Sequence, residues 1–310
     1  MYSKLLISIF MIMILLFYLN YHVSLTKNKE YFINQQYFKK IPDNKNKIKI
    51  LAIGDIHGNK DTLLNILKKN NLIDTNENWI SNNSVKLIQV GDVIDRGAKS
   101  LESLLLLRKI QLQAKNGQVI RLLGNHEIMI LEDDYRFINK KTDTYEKIKK
   151  IKKILQDDIQ KGLVKISYSF NNLLFSHAGV TRNFLKKSHI SILNTQKISQ
   201  ELNKRVLNIL YTNNYLNDKQ IIIDNNIYLS NIGPFWARTS EIFDEFPYNN
   251  FIQIIGHTPK NKIKFSPSGG AIYIDTGIFI NNRLSFLEIS NGKFISHSGD
   301  LNNIKKEIIN

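Results

Sequence analysis

The chain has 310 residues, 43% of them hydrophobic and 23% charged, which is enough to bury a full core and excludes a largely disordered protein. It contains no cysteine, which excludes disulfides, thiolate zinc sites and cysteine nucleophiles. Its net charge of +16 attracts anions of any kind, whether phosphorylated substrates, nucleic acid or acidic lipid. The densest lysine cluster, at residues 147–153, has the spacing of a solvated helix face, so we expect no nucleic-acid partner.

The N-terminal segment is predicted to contact a membrane. Residues 5–19 are uncharged and almost wholly apolar; this length fits a signal-peptide hydrophobic region and falls slightly short of the ~17–25 residues that span a bilayer. No small-x-small cleavage site follows, which favours a signal-anchor over a cleaved signal peptide within residues 1–25. We therefore expect a membrane-anchored protein, or an exported one if the segment is cleaved, with the side of the membrane left open. Residues 26–47 are polar and predict a linker.

A folded domain is predicted over residues 48–298, followed by a basic tail at 299–310. Helical stretches at 61–70 and 100–114 alternate with the early strands, which predicts parallel pairing. The later strands follow one another quickly and predict antiparallel pairs in a second sheet, and the Asn-rich stretch 182–250 is predicted to form a helical cap over the site. The predicted strands are residues 48–53, 85–90, 118–123, 164–170, 173–176, 251–255, 271–274 and 284–289.

Each of the first three strands runs into a turn that combines glycine with residue types that bind metals. These turns are Gly54-Asp55-Ile56-His57-Gly58, Gly91-Asp92-Val93-Ile94-Asp95-Arg96-Gly97 and Gly124-Asn125-His126-Glu127. Two later strands end similarly, before His177 and His257. Ligands of open α/β sheets bind outside the carboxyl ends of the strands, so we expect all five strand ends to meet in one crevice.

The donors at these strand ends are oxygen and imidazole nitrogen without sulfur, a set that suits Mn, Fe or Zn. Asp55 and His57 are close enough in sequence to chelate one ion, and Asp92 could bridge to a second. The second ion would be held by three residues from separate strand ends, Asn125, His177 and His257. Two metals ~3.5–4 Å apart activate a shared water and clamp phosphoryl oxygens.

These motifs resemble the metallophosphoesterase superfamily in its phosphoprotein-phosphatase branch, whose pattern GDxHG, GDxxDRG, GNHE and two later histidines is complete here. The segments RLLGNHEIMILEDDYRF (121–137), FSHAGV (175–180) and GPFWAR (233–238) are most similar to the Shewanella-like protein phosphatases. The resemblance covers roughly residues 48–290. It implies an α/β fold, a calcineurin-like sandwich of two mixed β-sheets flanked by α-helices, so that 48–298 is the catalytic domain.

The resemblance also implies roles for individual residues. It implies two divalent metal ions, Mn²⁺ with Fe or Zn as alternatives, and single-step attack by a metal-bridging hydroxide without a phosphoenzyme. The implied metal ligands are Asp55, His57, Asp92, Asn125, His177 and His257. His126 falls on the general acid that protonates the leaving group, and Asp95 on the carboxylate that orients it. Substrate phosphate is bound by Arg96, by Arg238 on a shorter motif, and by Asn125.

Three functions are compatible with this pattern. The first is a protein phosphatase acting on phosphoserine, phosphothreonine or phosphotyrosine, or on a small phosphoester. The second is a dinucleotide polyphosphate hydrolase of the diadenosine tetraphosphatase type, which shares GDxHG, GDxxDRG and GNHE. The third is a non-catalytic, membrane-tethered scaffold that binds phosphorylated partners; it predicts lost ligand positions, and none is lost.

Several residues stand apart from this pattern. Asp275-Thr276-Gly277 takes the place of the SAPNY-type segment of the classical serine/threonine phosphatases. Glu127 is expected to support its loop without binding metal. Three histidines without motif context are expected at the surface: His22, His189 and His297.

Overall fold

The computed structural model describes residues 48–191, 194–211, 227–238, 251–267, 269–281, 283–300 and 303–309. They form two mixed β-sheets with helices, as expected from the sequence. The seven-stranded sheet has the order β12-β11-β10-β1-β2-β3-β4, and the five-stranded sheet the order β5-β6-β7-β9-β8. The strands are β1 Lys49–Ile53, β2 Val85–Gln89, β3 Val119–Leu122, β4 Val164–Lys165, β5 Ser167–Phe170, β6 Leu173–Ser176, β7 Ile252–Ile255, β8 Lys264–Phe265, β9 Ala271–Tyr273, β10 Leu284–Ser290, β11 Lys293–Asp300 and β12 Asn303–Ile308.

Helices connect and cover these strands. The described α-helices are α1 Lys60–Lys69, α2 Ser100–Gln113, α3 Asn125–Leu131, α4 Tyr145–Gln160, α5 Arg182–Lys187, α6 Thr195–Tyr211 and α7 Ile278–Asn281, with a 3₁₀ turn at Ile227–Leu229. Helix α1 begins where the Asn59 side chain accepts a hydrogen bond from the Thr62 amide, which satisfies one of the free N–H groups of its first turn. None of the helices in the described ranges is long and apolar enough to cross a bilayer.

The alternation of side chains along each strand divides the core into layers. In β1, Ile50 and Ala52 pack with Phe175 and Ile254 between the two sheets. The intervening side chains of β1 and its neighbours pack against the helices instead. Each fully buried Ile or Phe contributes about 1.5–3 kcal/mol through removal of apolar surface from water. This double burial explains why the early strands are nearly continuous apolar runs.

One charged residue interrupts the helix-facing layer. Arg121 of β3 is buried, and its Nη2 donates to Oδ2 of the buried Asp158 in α4 at 2.7 Å. Arg108 of α2 donates through Nε to the other oxygen of Asp158, also at 2.7 Å. The carboxylate therefore ties β3, α2 and α4 together. Because a buried charge is tolerated only with partners, the buried Arg121 and Asp158 depend on each other.

The predicted parallel pairing of the early strands is confirmed, since β1, β2, β3 and β4 pair in parallel. The single strand predicted at 164–170 is wrong. Its first two residues form β4 in the larger sheet, and Ser167–Phe170 form β5 in the smaller one. A continuous apolar run is expected wherever both faces are buried, so the pattern cannot show that the chain changes sheets at Ile166.

The predicted pairing of the later strands also needs correction. Strands β10, β11 and β12 are antiparallel, but they extend the first sheet beside β1. In the second sheet β5–β6 and β8–β9 are antiparallel, as predicted, whereas β6–β7 and β7–β9 pair in parallel. The basic tail predicted at 299–310 is wrong for the described residues, because β12 pairs along β11 as an edge strand. Lysines on an edge strand discourage pairing with other chains, and here they masked the strand pattern.

The described part of the predicted cap, within 182–250, packs beside the sheets. Helix α6 contacts β5, β6 and α4, burying Ile198, Leu202, Val206 and Leu210 at helical spacing. This apolar stripe makes α6 part of the core, and the cap itself stays a prediction. The segment 233–238 reaches the carboxyl ends of the strands, where the Pro234 carbonyl accepts from the Ala178 amide. The predicted signal-anchor at 1–25 and linker at 26–47 lie outside the described residues.

Candidate metal centre

The loops that follow β1, β2, β3, β6 and β7 meet at one edge of the paired sheets, as the strand-end motifs predict. Asp92 lies at the centre and belongs to two clusters of possible metal-binding side chains. One consists of Asp92 with His57 and His126, and the other of Asp92 with His177 and His257, and all five are buried. Within each cluster the donor atoms lie within 4.8 Å of one another.

Two glycines allow the loops to come this close. A Cβ at Gly124 would overlap the Asp92 carboxylate, and a Cβ at Gly256 would overlap the Asp55 carboxylate. Several residues of the centre also adopt the left-handed backbone region, which side chains other than glycine rarely occupy. They are His57 (φ 46°), Asp92 (φ 55°), Asp95 (φ 68°), Arg96 (φ 63°) and His257 (φ 65°). Such strain clusters where a fold holds residues for function.

The imidazole of His57 is oriented by the main chain. Its Nδ1 lies 3.0 Å from the Ile94 carbonyl oxygen, so Nδ1 carries the proton and donates it. Nε2 is then a lone-pair donor, and it lies 3.6 Å from Asp92 Oδ2 and 4.0 Å from Asp55 Oδ2. A nitrogen lone pair and two carboxylates that face one another repel unless a cation lies between them. The arrangement fits a metal ion.

His177 repeats this geometry at the second cluster. Its Nδ1 lies 3.0 Å from the Val90 carbonyl oxygen, which directs the Nε2 lone pair inward. That Nε2 lies 2.9 Å from Asn125 Oδ1, 3.2 Å from His257 Nδ1 and 3.4 Å from Asp92 Oδ2. The buried Nε2 of His257 has no hydrogen-bond partner among the described residues. Convergent acceptors and a buried nitrogen without a partner again fit a cation.

Burial sets the charge states of the donors. It lowers the pKa of His57 to about 3 and that of His257 to about 3, so both imidazoles are neutral near pH 7 and free to bind metal. Burial, and then the carboxylates of Asp275 and Asp92, raises the pKa of Asp55 well above its ordinary value. Burial also opposes ionisation of Asp92, but His177 and His126 outweigh it and hold the pKa of Asp92 well below normal. Bound cations would relieve the repulsion between these carboxylates.

His126 and Asp95 form a hydrogen-bonded pair beside this centre. His126 Nδ1 lies 2.8 Å from Asp95 Oδ2, and both side chains are buried. The backbone N–H of His126 donates to Asp92 Oδ1 at 3.0 Å. Burial raises the pKa of Asp95, although the hydrogen bond with His126 opposes this. His126 Nε2 lies 3.8 Å from Asp92 Oδ2. At this distance His126 could bind a metal ion together with Asp92, or donate a proton to a substrate beside Asp92.

The two predicted phosphate-binding arginines differ in placement. Arg96 is exposed at the mouth of the centre, with Nη2 3.3 Å from His126 Nε2. Arg238 is also exposed, and its charge contributes to the lowered pKa of His257. Trp236 beside it packs edge-on against the His257 ring, 6.2 Å between centroids. Arg96 thus lies beside the predicted acid, whereas Arg238 lies near enough to His257 of the second cluster to affect its pKa.

Glu127 supports the centre as expected. Its carboxylate accepts hydrogen bonds from the backbone N–H groups of Asp92 (2.9 Å), Val93 (2.9 Å) and Gly124 (2.7 Å). It thereby joins the loops after β2 and β3. His297, in contrast, is not at the surface, because it is buried between Phe286, with ring centroids 4.3 Å apart, and Glu288, whose Oε2 lies 3.1 Å from its Nε2. His189 is exposed, as predicted, and His22 lies outside the described residues.

Asp275 belongs to the centre although sequence analysis gave it no role. It is buried at the end of β9, and its carboxylate contributes to the raised pKa of Asp55. Burial raises the pKa of Asp275 itself to about 6. Its Oδ1 accepts from the Gly277 amide at 2.8 Å, which shapes the turn into α7. The signal was available, since Asp275 follows a strand just as Asp55 does.

Comparison with known proteins agrees with this geometry. Residues 48–261 match the calcineurin-like phosphoesterase family. The chain is 29% identical over 269 residues to Shewanella-like protein phosphatase 1 of Plasmodium berghei, covering 79% of this chain and 71% of that protein. It is 39% identical over 95 residues to Shewanella-like protein phosphatase 2 of Arabidopsis thaliana, covering 30% of this chain and 24% of the relative.

The fold is also shared with a solved structure. A cold-active protein-tyrosine phosphatase of a psychrophilic Shewanella species superposes with a TM-score of 0.66 at 22% identity, covering 85% of this chain and 80% of that one. At this identity the likeness concerns the fold. The family match and the phosphatase relatives show a hydrolase that acts on phosphate esters. The chain belongs to the calcineurin-like phosphoesterase family.

Proposed function

We propose that the chain is a two-metal phosphomonoesterase that acts as a protein phosphatase. The observation that carries this proposal is the position of Asp92, whose carboxylate is shared by two buried clusters of imidazole side chains. In this proposal Asp55 and His57 hold one ion, and Asn125, His177 and His257 hold the other. The donor set favours Mn²⁺, Fe²⁺ or Zn²⁺.

A bound pair of divalent ions supplies an activated water and a positive clamp for the phosphoryl oxygens. The remaining work falls to side chains of this chain. Hydrolysis joins a water oxygen to phosphorus and breaks the bond from phosphorus to the leaving oxygen, which must then gain a proton. We assign that proton to His126, a role supported by the 2.8 Å contact of its Nδ1 with Asp95 Oδ2 and by the position of its Nε2, 3.8 Å from Asp92 Oδ2.

Arg96 is proposed to bind the phosphate of the substrate. Its guanidinium is exposed at the mouth and lies beside Nε2 of His126 at 3.3 Å, so a phosphate held by Arg96 would lie next to the acid. A planar guanidinium can hold two phosphate oxygens at once, which fixes the orientation of the ester bond. We assign Arg238 and Asn125 to the same phosphate from the other side of the centre.

The substrate class is proposed from the relatives, two of which are named protein phosphatases. The proposal covers phosphoserine, phosphothreonine and phosphotyrosine. The test is a parallel assay of the purified full chain on the three phosphopeptides and on diadenosine tetraphosphate, each with Mn²⁺, Zn²⁺ and Fe²⁺. We expect release of phosphate from at least one phosphopeptide.

Two results would overturn this proposal. Activity on diadenosine tetraphosphate far above that on every phosphopeptide would make the chain a dinucleotide hydrolase. A metal-loaded chain that is inert even on p-nitrophenyl phosphate would indicate a phosphate-binding scaffold. Asp92→Asn is the matched control, because it removes the shared carboxylate while keeping the size of the side chain.

A further inference from the structure

The guanidinium of Arg96 lies over two phenyl rings. Its Cζ is 5.1 Å from the ring centroid of Phe137 and 5.0 Å from that of Phe279. Both distances are within the range of a cation–π interaction, in which the negative face of the ring attracts the cation. The rings come from separate elements, the loop after α3 and the short helix α7. We call these two side chains the aromatic clamp.

The clamp holds a cation without neutralising it. In the described part of the chain, no ion pair includes Arg96, whereas four of the other arginines there are paired with carboxylates: Arg108, Arg121, Arg136 and Arg205. A carboxylate would occupy the N–H edge of the guanidinium, which is the edge that binds phosphate. Ring faces contact the guanidinium differently and do not occupy that edge, where Nη2 lies 3.3 Å from His126 Nε2. The surroundings of Arg96 therefore suit an arginine kept ready for an anion.

The backbone fixes the base of the same side chain. The Arg96 amide donates to the Phe137 carbonyl oxygen at 2.9 Å, and Asn139 Nδ2 donates to the Arg96 carbonyl oxygen at 3.1 Å. An exposed arginine otherwise loses about 2 kcal/mol of rotamer entropy when a ligand immobilises it. Contacts that order the side chain beforehand reduce this cost of binding.

Each ring also contacts a different part of the centre. The Phe279 ring packs edge-on against His57, with centroids 4.7 Å apart. The Phe137 ring lies 5.1 Å from the ring of His126. The clamp therefore sets the position of Arg96 relative to both the first metal cluster and the predicted acid. Phe137 is nevertheless 39% exposed, so burial in the core does not account for its position.

We infer that Phe137 and Phe279 are positioning residues that preorganise Arg96 for the phosphate group of the substrate. This inference rests on the phosphate-binding role proposed above for Arg96. It predicts that loss of a ring weakens phosphate binding while the metal ions stay bound. Loss of a ring should raise KM more than it lowers kcat, because the guanidinium contacts phosphate before and during the reaction.

The test compares Phe137→Leu and Phe279→Leu with Phe137→Tyr and Phe279→Tyr in the Mn²⁺-loaded full chain. Binding of inorganic phosphate is measured by calorimetry, metal content by elemental analysis, and kcat and KM with phenyl phosphate. Each Leu variant should weaken phosphate binding by about two- to fivefold, which corresponds to a cation–π contribution of about 0.5–1 kcal/mol. The Tyr variants, which keep the ring, should bind phosphate like the wild type. Ile280→Ala is the matched control, since this neighbour in α7 is 68% exposed.

A double-mutant cycle separates the clamp from a general structural effect. In an Arg96→Ala background, adding either Leu substitution should change phosphate binding no further. Unchanged phosphate binding in both Leu variants, or full weakening that persists without Arg96, would overturn the inference. If Phe279→Leu loses metal because of its contact with His57, the Phe137→Leu arm decides. A wild-type chain that binds phosphate through the clamp but hydrolyses no ester would sink the proposed function and leave this inference standing.

Discussion

Substitution of His126 by Asn separates two roles that the geometry allows for this residue. His126 Nε2 is near enough to Asp92 to be a metal ligand, yet its Nδ1 is held by Asp95 as in a general acid. Asn removes the imidazole but keeps the backbone N–H that donates to Asp92 Oδ1 at 3.0 Å. The support of Asp92 is therefore retained. We expect the metal content to stay at the wild-type value.

The size of the effect follows from the lost proton donor. General acid catalysis typically contributes ~10²–10⁴-fold, so kcat should fall by that factor. This corresponds to about 2.7–5.5 kcal/mol of transition-state stabilisation. The buried carboxylate of Asp95 also loses its partner, which should lower the free energy of unfolding by about 1–3 kcal/mol. The stability loss is separable, because urea denaturation measures it without substrate.

The assay compares two aryl phosphates with different leaving groups. p-Nitrophenolate leaves without help from a proton, whereas phenolate needs one. The His126→Asn defect should therefore be about tenfold or more larger on phenyl phosphate than on p-nitrophenyl phosphate if His126 is the acid. Equal defects on both substrates, or metal content that falls in parallel with kcat, would refute the acid role and make His126 a ligand.

Three further substitutions test other parts of the structure. Asp92→Asn should lose metal from both clusters, since both share this carboxylate. Elemental analysis should show no such loss for the control Asp95→Asn. An unchanged number of metal ions per chain in Asp92→Asn would refute the shared role of Asp92. Asp158→Asn should lower the free energy of unfolding, measured by urea denaturation, by about 3–5 kcal/mol, because it leaves the guanidinium of Arg121 buried without its counter-charge. A loss below about 1 kcal/mol would mean that another group compensates the charge of Arg121. Burial lowers the pKa of His297 in the folded chain. As the pH falls below about 6.5, His297 therefore binds a proton in the unfolded chain before it does so in the folded chain, which destabilises the fold. The wild type should then lose stability from pH 7 to pH 5 more steeply than His297→Gln, and parallel curves would contradict this.

The candidate metal centre was predictable because its residues stand in short motifs at strand ends. Asp55, Asp92 and His126 each follow an apolar run and a glycine, and parallel strands bring such ends together. Asp275 also follows an apolar run, but no glycine precedes it, and a single carboxylate after a strand is a weak signal without a second donor nearby. Phe137 and Phe279 gave no signal, because an aromatic residue in a sequence is more often part of the core.

The sheet arrangement was less predictable for a physical reason. Apolar periodicity reports burial of a face, and it does not report which sheet buries it. The run at 164–170 therefore looked like one strand although it serves both sheets. Strand β12 was missed because four of its six residues are Asn, Lys or Glu, which suit a solvated edge. His297 was wrongly expected at the surface because it lies on β11, which pairs with the missed strand β12.

The main-chain carbonyls of Ile94 and Val90 orient His57 and His177 in a way that does not depend on the side chains at positions 94 and 90. They fix which nitrogen of His57 and of His177 points inward, and the group that does so is present whatever side chain those two positions carry. A carboxylate in the same place could be lost by one base change in the gene, whereas a peptide oxygen cannot. The backbone carbonyls thus set the tautomers of His57 and His177. Substitution of Ile94 or Val90 by another aliphatic residue should leave the same ring nitrogen of each histidine facing the centre.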